Sequence, residues 1–129
     1  MASVFSRIIH GELPGEFVWS DEQCVAIMTL NPMKPGHLLV IPREEIDHWD
    51  DMPSELSAHL MTVSQALAKA LKQAFPCERV GMMIVGLEVP HVHLHLVPID
   101  AMQDIRLEGL PQARPEELAE NADRIRAAL

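Results

Sequence analysis

Three histidines stand at alternate positions in the run Pro90-His91-Val92-His93-Leu94-His95-Leu96-Val97-Pro98, and a fourth, His37, sits just after Pro35-Gly36. In an extended chain the side chains alternate faces, so His91, His93 and His95 would project from one side while Val92, Leu94 and Leu96 enter a core. A slip of one residue would bury the imidazoles and expose the aliphatics, which pins the register and spaces the rings by about 6.6 Å. Three readings fit such a row. The rings could be a hydrated, mutually hydrogen-bonded surface feature. Two of them could ligate zinc with a third ligand from a neighbouring strand, although no Cys, Asp or Glu is visibly placed to complete the set. The third reading is chemistry at phosphorus: a neutral imidazole attacks, while its neighbours, titrating ordinarily at about 6.5, hold a phosphate oxygen or protonate a leaving group. Strict alternation on an otherwise apolar segment favours the third.

Aligned rings need a sheet to hold them. Glu16 to Trp19 and Cys24 to Thr29 read as strands joined by the polar run Ser20-Asp21-Glu22-Gln23, a hairpin connection. A third strand, His37 to Ile41, is bounded by Pro35-Gly36 and Pro42, and the loop before it, Asn31-Pro32-Met33-Lys34-Pro35-Gly36, carries two prolines and a glycine. Val80 to Val85 and His91 to Val97 complete five strands. Before the fourth, Leu56, Leu60, Val63, Leu67, Leu71 and Ala74 recur at helical spacing and predict an amphipathic helix from Ser54 to Phe75, with Asp51 or Ser54 as N-cap and Pro76 as its stop. A short helix opens the chain, capped by Ser3 and closed at Gly11; another begins near Pro115 and turns Leu118, Ala122, Ile125 and Leu129 to one face. Hairpins around a single crossover helix predict an α+β domain on an antiparallel five-stranded sheet. Residues 1–109 would form it, and 110–129 would be a helical extension packed on the same domain or on a dimer.

Nineteen acidic against ten basic side chains leave a net charge of −9, and no stretch clusters Lys or Arg, so a nucleic-acid polymer is not an expected partner. A local pocket of imidazole and backbone N–H can still bind one phosphate. Cys24 and Cys77 lie in no CxxC or Cys/His cluster in the sequence and suit reduced thiols. The N-terminal stretch fits neither a signal nor a transit peptide, and no apolar run approaches the ~18 residues of a membrane span. The expectation is a cytoplasmic protein with no membrane partner.

The alternating run resembles the His-x-His-x-His signature, with hydrophobic x, of the histidine triad (HIT) superfamily of nucleotide hydrolases and transferases. Two further segments agree in order: Val4 to Ile9 with Gly11-Glu12-Leu13-Pro14, and Asn31-Pro32 with Pro35-Gly36-His37-Leu38-Leu39-Val40-Ile41-Pro42. The resemblance implies that His93 attacks the α-phosphorus to form a nucleotidyl-histidine that water resolves, that His95 hydrogen-bonds the phosphate, that His91 orients and polarises the nucleophile, and that His37 joins the network. It implies an apolar nucleobase pocket of Val4, Phe5, Ile8, Ile27 and Leu30. Thr29 stands where members have a ribose-binding aspartate, and a hydroxyl cannot accept the bidentate pair that a carboxylate does. Glu88, within Gly86-Leu87-Glu88-Val89-Pro90, replaces a polar run ahead of the triad and would meet a phosphate, a histidine or an amine. Ser3, Ser6 and Glu45 occupy the places of two cysteines and a histidine that hold zinc in some members, so the resemblance implies no zinc here, and no cofactor is expected. The implied function is a nucleotidyl-transfer hydrolase acting on a small nucleotide phosphoramidate or phosphoanhydride. A non-catalytic nucleotide- or anion-binding module acting through protein partners is the alternative, motivated by Thr29 and residues 86–90. Because members pair through the long helix and the strand after it, a homodimer is expected.

Overall fold

The computed structural model describes residues 2–129. Along the chain it forms α1 (Val4–Ile9), β1 (Phe17–Ser20), β2 (Cys24–Met28), β3 (Leu38–Pro42), α2 (Ser54–Ala74), β4 (Arg79–Met83), β5 (Leu94–Ile99) and α3 (Pro115–Ala128). All strand pairs are antiparallel, in the order β1-β2-β3-β5-β4, and this is the α+β architecture that the sequence predicts.

Every residue of β2 and β3 is buried, because both faces of the sheet are covered. Side-chain alternation divides them between two apolar layers. Cys24, Ala26, Met28, Leu38 and Val40 meet Leu56, Leu60, Val63, Leu67 and Leu71 of α2 and Leu118, Ala122 and Ile125 of α3. Val25, Ile27, Leu39 and Ile41 meet Phe5 of α1 on the other side. Each buried leucine of α2 contributes on the order of 2 kcal/mol relative to exposure, which is what holds this helix across the sheet. α3 therefore covers part of the main core, and Arg124 adds a guanidinium 4.2 Å from the centre of the Phe75 ring.

Local signals account for most element ends. Ser3 caps α1 by accepting from Ser6 N–H at 3.0 Å, and Gly11 takes a positive φ of 81° just beyond it. Gly36, at φ 95°, turns the chain into β3 against the Phe75 ring, where a Cβ would lie 2.8 Å from Cδ2. Neither Asp51 nor Ser54 caps α2. Its N-cap is Pro53, with no side-chain bond, and Asp51 belongs to the 3₁₀ turn Trp49–Asp51. The β1–β2 turn is held by Asp21, whose carboxylate accepts from Gln23 N–H, Cys24 N–H and Trp19 Nε1–H at 2.7–2.8 Å. His59 Nε2 lies 2.8 Å from the same carboxylate and ties α2 to the hairpin.

The largest departure from the expected elements concerns the histidine strand. β5 begins at Leu94, so His91 and His93 precede it as irregular chain, and β4 likewise ends at Met83 instead of Val85. The ladder with β3 stops at Val40–Leu94, and beyond it the Pro42 carbonyl accepts from the His91 ring at 2.8 Å. Val92 N–H instead reaches Ile46 O at 2.7 Å. Facing survives this: Val92, Leu94 and Leu96 enter the main core, while the rings of His91 and His93 meet Phe5 edge-on in the opposite layer.

Candidate active site

A cavity of about 550 Å³ opens where β5 and β3 meet the loop after β4 and the segment leading to α3. His93, His95 and His37 form its floor, with Thr29, Asn31 and Met33 from the turn between β2 and β3 on one side. Val85 to Glu88 supply a second wall, and Arg106 to Leu110 supply a third. Two bonds pin that last segment over the site: Asn31 Nδ2–H to Leu110 O at 3.1 Å, and Ala113 N–H to Leu30 O at 2.8 Å.

The hydrogen bonds assign a tautomer to each neutral ring. Met33 N–H donates to His37 Nδ1 at 3.1 Å, so the proton of His37 is on Nε2. That proton is donated to His95 Nδ1 at 3.0 Å, which leaves His95 with its own proton on Nε2, a donor on the cavity floor. In His93 the direction is reversed. Its Nδ1–H is donated to the His91 carbonyl at 2.7 Å, so Nε2 carries the lone pair. One relay of backbone and imidazole thus yields a hydrogen-bond donor and, 4.9 Å away ring to ring, an unshared lone pair. This pairing is what an attack at phosphorus requires: a lone pair for the atom and a donor for its oxygen.

Electrostatics keep the rings neutral. Burial, then the neighbouring His95 and His93, lowers the His37 pKa to about 3. Burial, then His93, lowers that of His95 to about 4. His93 is also lowered, chiefly by burial, against the raising effects of the His91 carbonyl and the Glu88 charge. These shifts all favour the neutral imidazole, and Arg106 is the one Lys or Arg among the described residues that wall the cavity. Arg106 forms no ion pair among the described residues. Glu88 and Glu108 add two carboxylates to the walls.

The structure brings together some of the residues singled out from the sequence and separates others. His37, His93, His95, Thr29 and Glu88 share the cavity. His91 does not: it is 0% exposed, bonded through Nε2–H to Pro42 O at 2.8 Å and through Nδ1 to the Ser3 hydroxyl at 2.6 Å. The expected row of three rings on one open flank is therefore two rings at the cavity and one sealed behind them. Val4, Phe5, Ile8, Ile27 and Leu30 are not among the cavity walls. Phe5 and Ile27 are buried in the second apolar layer, Ile8 packs against it, and Val4 and Leu30 are exposed. Arg106 and its neighbours have no local signal in the sequence, because only the docking of the C-terminal segment carries them to the site.

Two side-chain sets elsewhere have the composition of metal sites. Ligand atoms of Asp21, Cys24 and His59 lie within 4.8 Å of one another. Burial and the Asp21 charge push the Cys24 thiol up to about 12, away from the thiolate a metal needs. Burial alone would raise the Asp21 pKa, but the bonds from Trp19, Gln23, His59 and Cys24 outweigh it and hold the carboxyl below its usual range. Ser3, Ser6, Glu45 and His91 also converge, through bonds of 2.6–3.0 Å. Serine hydroxyls are protonated at neutral pH, and both are already committed to hydrogen bonds, so this donor set does not fit zinc.

Comparison with known proteins agrees with this fold. The HIT domain model matches residues 10–102. The chain is 33% identical over 99 residues to an uncharacterized HIT-like protein of Methanocaldococcus jannaschii, covering 74% of this chain and 77% of that one. It is 32% identical over 98 residues to the adenosine 5'-monophosphoramidase HNT1 of Saccharomyces cerevisiae, covering 75% of this chain and 62% of that protein. Among solved structures, a Hit-like protein involved in cell-cycle regulation from Bartonella henselae superposes with a TM-score of 0.89 at 32% identity, over 98% of this chain and 96% of the other.

Proposed function

The chain belongs to the HIT family, and on that premise we propose that it is a nucleotidyl-transfer hydrolase that cleaves a small nucleotide phosphoramidate or phosphoanhydride through a covalent intermediate on His93. The observation that carries this reading is the opposed pair of tautomers at the cavity floor, a lone pair on His93 Nε2 beside a proton on His95 Nε2. In the first step His93 Nε2 forms a bond to the α-phosphorus, the bond from phosphorus to the leaving group breaks, and that group departs with the electron pair and a proton from solvent. In the second step water attacks the same phosphorus, the P–N bond breaks, and the lone pair returns to Nε2 while the proton of water passes to solvent. His95 Nε2–H steadies a non-bridging oxygen, and Arg106 neutralises the charge that the uncharged rings leave unmet. His91 holds the nucleophile's tautomer from behind. The 32% identity to a monophosphoramidase supports an amine leaving group, toward which Glu88 and Glu108 are favourable charges. Thr29, the one proposed ribose contact that lines the cavity, would lie beside the sugar.

The same reading includes a cytoplasmic homodimer. β4 is an edge strand with half-exposed residues, and Met82 within it and Val85 just beyond it are exposed hydrophobics that a partner would cover. No helix among the described residues is long and apolar enough to cross a membrane. The test is turnover of a panel of nucleoside phosphoramidates, adenylylated amines and dinucleoside polyphosphates by wild type, His93→Ala and His93→Gly, with an alkaline quench to trap labelled histidine. A His93 variant as active as wild type removes the nucleophile. Nucleoside monophosphate binding without turnover of any panel member would favour the binding-module reading, for which Thr29 and Glu88 speak.

A further inference from the structure

We infer that Ser3 and Glu45 are positioning residues for the nucleophile, acting through His91 in place of a metal clamp; this rests on the reading of His93 as nucleophile. The path between them is continuous. Glu45 Oε1 accepts from Ser3 N–H at 2.7 Å and from the Ser6 hydroxyl at 2.8 Å. Ser6 N–H donates to Ser3 Oγ at 3.0 Å, and the single hydroxyl proton of Ser3 is donated to His91 Nδ1 at 2.6 Å. The Pro42 carbonyl can only accept, so His91 donates Nε2–H to it at 2.8 Å, and Nδ1 of the neutral ring is left to accept the Ser3 hydroxyl proton. With both ring nitrogens anchored, the backbone carbonyl of His91 is held where it accepts Nδ1–H of His93 at 2.7 Å, which leaves the lone pair on Nε2.

Burial makes the arrangement decisive. Ser3, Ser6 and His91 are all buried, so water does not replace a lost partner without displacing α1. The same helix holds Phe5 against both rings, its centroid 5.8 Å from His91 and 4.8 Å from His93. α1 thus grips the pair by one polar contact and one apolar contact. The donor set that does not fit zinc fits this task, because a hydroxyl can accept a cap bond and donate to an imidazole at once.

The test combines steady-state kinetics on an adenosine phosphoramidate with ¹⁵N NMR of the histidine rings in the full chain, for Ser3→Thr, Ser3→Ala, Ser3→Asp and Glu45→Gln. Threonine keeps both the cap and the donor, and is expected to match wild type. Aspartate caps the helix as well as serine does but offers His91 Nδ1 only an acceptor. It is therefore expected to protonate His91 Nδ1 and to lower kcat about tenfold, with KM within twofold, as one misplaced hydrogen bond at the nucleophile would. Alanine should lower kcat similarly, and Glu45→Gln, which still accepts through Oε1, by about threefold at most. Wild-type nitrogen shifts at His91 in a folded Ser3→Asp protein, or an unchanged kcat in Ser3→Ala, overturns the inference. The ring signals do not depend on turnover, so they decide the clamp even if wild type hydrolyses nothing in the panel, a result that would count against the hydrolase reading alone.

Discussion

Replacing His37 with phenylalanine isolates the relay that sets the His95 tautomer. His37 is 2% exposed and makes two bonds, accepting from Met33 N–H at 3.1 Å and donating to His95 Nδ1 at 3.0 Å. Phenylalanine fills a similar volume, so little cavity is created, but both bonds go. The part-buried Met33 N–H is left without its acceptor, at a cost of about 1–2 kcal/mol in stability. His95 loses the donor that confines its proton to Nε2. A net hydrogen bond of about 1–1.5 kcal/mol corresponds to roughly a five- to twelvefold fall in kcat if the transition state uses that proton. Nucleotide affinity, set mainly by groups outside the relay, should change less than threefold. His37→Gln can accept through its carbonyl and donate through its amide, and is expected to recover part of the loss. The assay is kcat and KM on an adenosine phosphoramidate beside a thermal melt and the His95 ring nitrogen shifts. A His37→Phe protein that keeps kcat within twofold while its His95 proton redistributes would refute the role given to Nε2–H, as would a glutamine variant no better than phenylalanine.

Four further outcomes are expected. The folded-state pKa values of His37 and His95, about 3 and 4, lie below the unfolded value near 6.5, so the unfolded chain takes up protons first on acidification. The stability present above pH 6.5 should then drain away from pH 6.5 down to about 4 for His95 and about 3 for His37, by about 1 kcal/mol per pH unit and ring; a melting temperature flat from pH 7 to pH 4.5 contradicts this. Arg106→Ala should raise KM about fivefold with kcat nearly unchanged, and a KM that does not move in low salt would take Arg106 out of the site. Thr29→Asp should improve kcat/KM for a ribonucleotide over its 2'-deoxy analogue by up to about tenfold, measured as a ratio within one protein; an unmoved ratio would place the ribose elsewhere. Gly36→Ala combines a positive φ of 95° with a Cβ 2.8 Å from the Phe75 ring, and should cost roughly 2–4 kcal/mol in a denaturant titration, an effect under 0.5 kcal/mol being inconsistent with both.

The elements that could be read from the chain were those governed by local chemistry. The spacing of Leu56, Leu60, Val63, Leu67 and Leu71 determines a helix because only a 3.6-residue repeat puts them on one side, and Ser3, Gly11 and Pro115 mark ends through bonds and dihedrals within a few residues. Other features escaped local reading. Asp51 and Ser54 offered capping oxygens that α2 does not use, and Cys24 and His59, far apart in sequence, meet at Asp21.

For the site, the alternation of Val92, Leu94 and Leu96 with three histidines already determined which rings share a side, since burying the aliphatics leaves the imidazoles no other face. Which of those rings reaches the cavity was decided only by packing. α1 and the Pro42 carbonyl close over His91, while His93 and His95 stay at the cavity beneath a C-terminal segment that brings Arg106 from outside any motif. Periodicity along a strand dictates direction, but access and protonation depend on what other segments fold on top, and those contacts leave no trace in the spacing of residues.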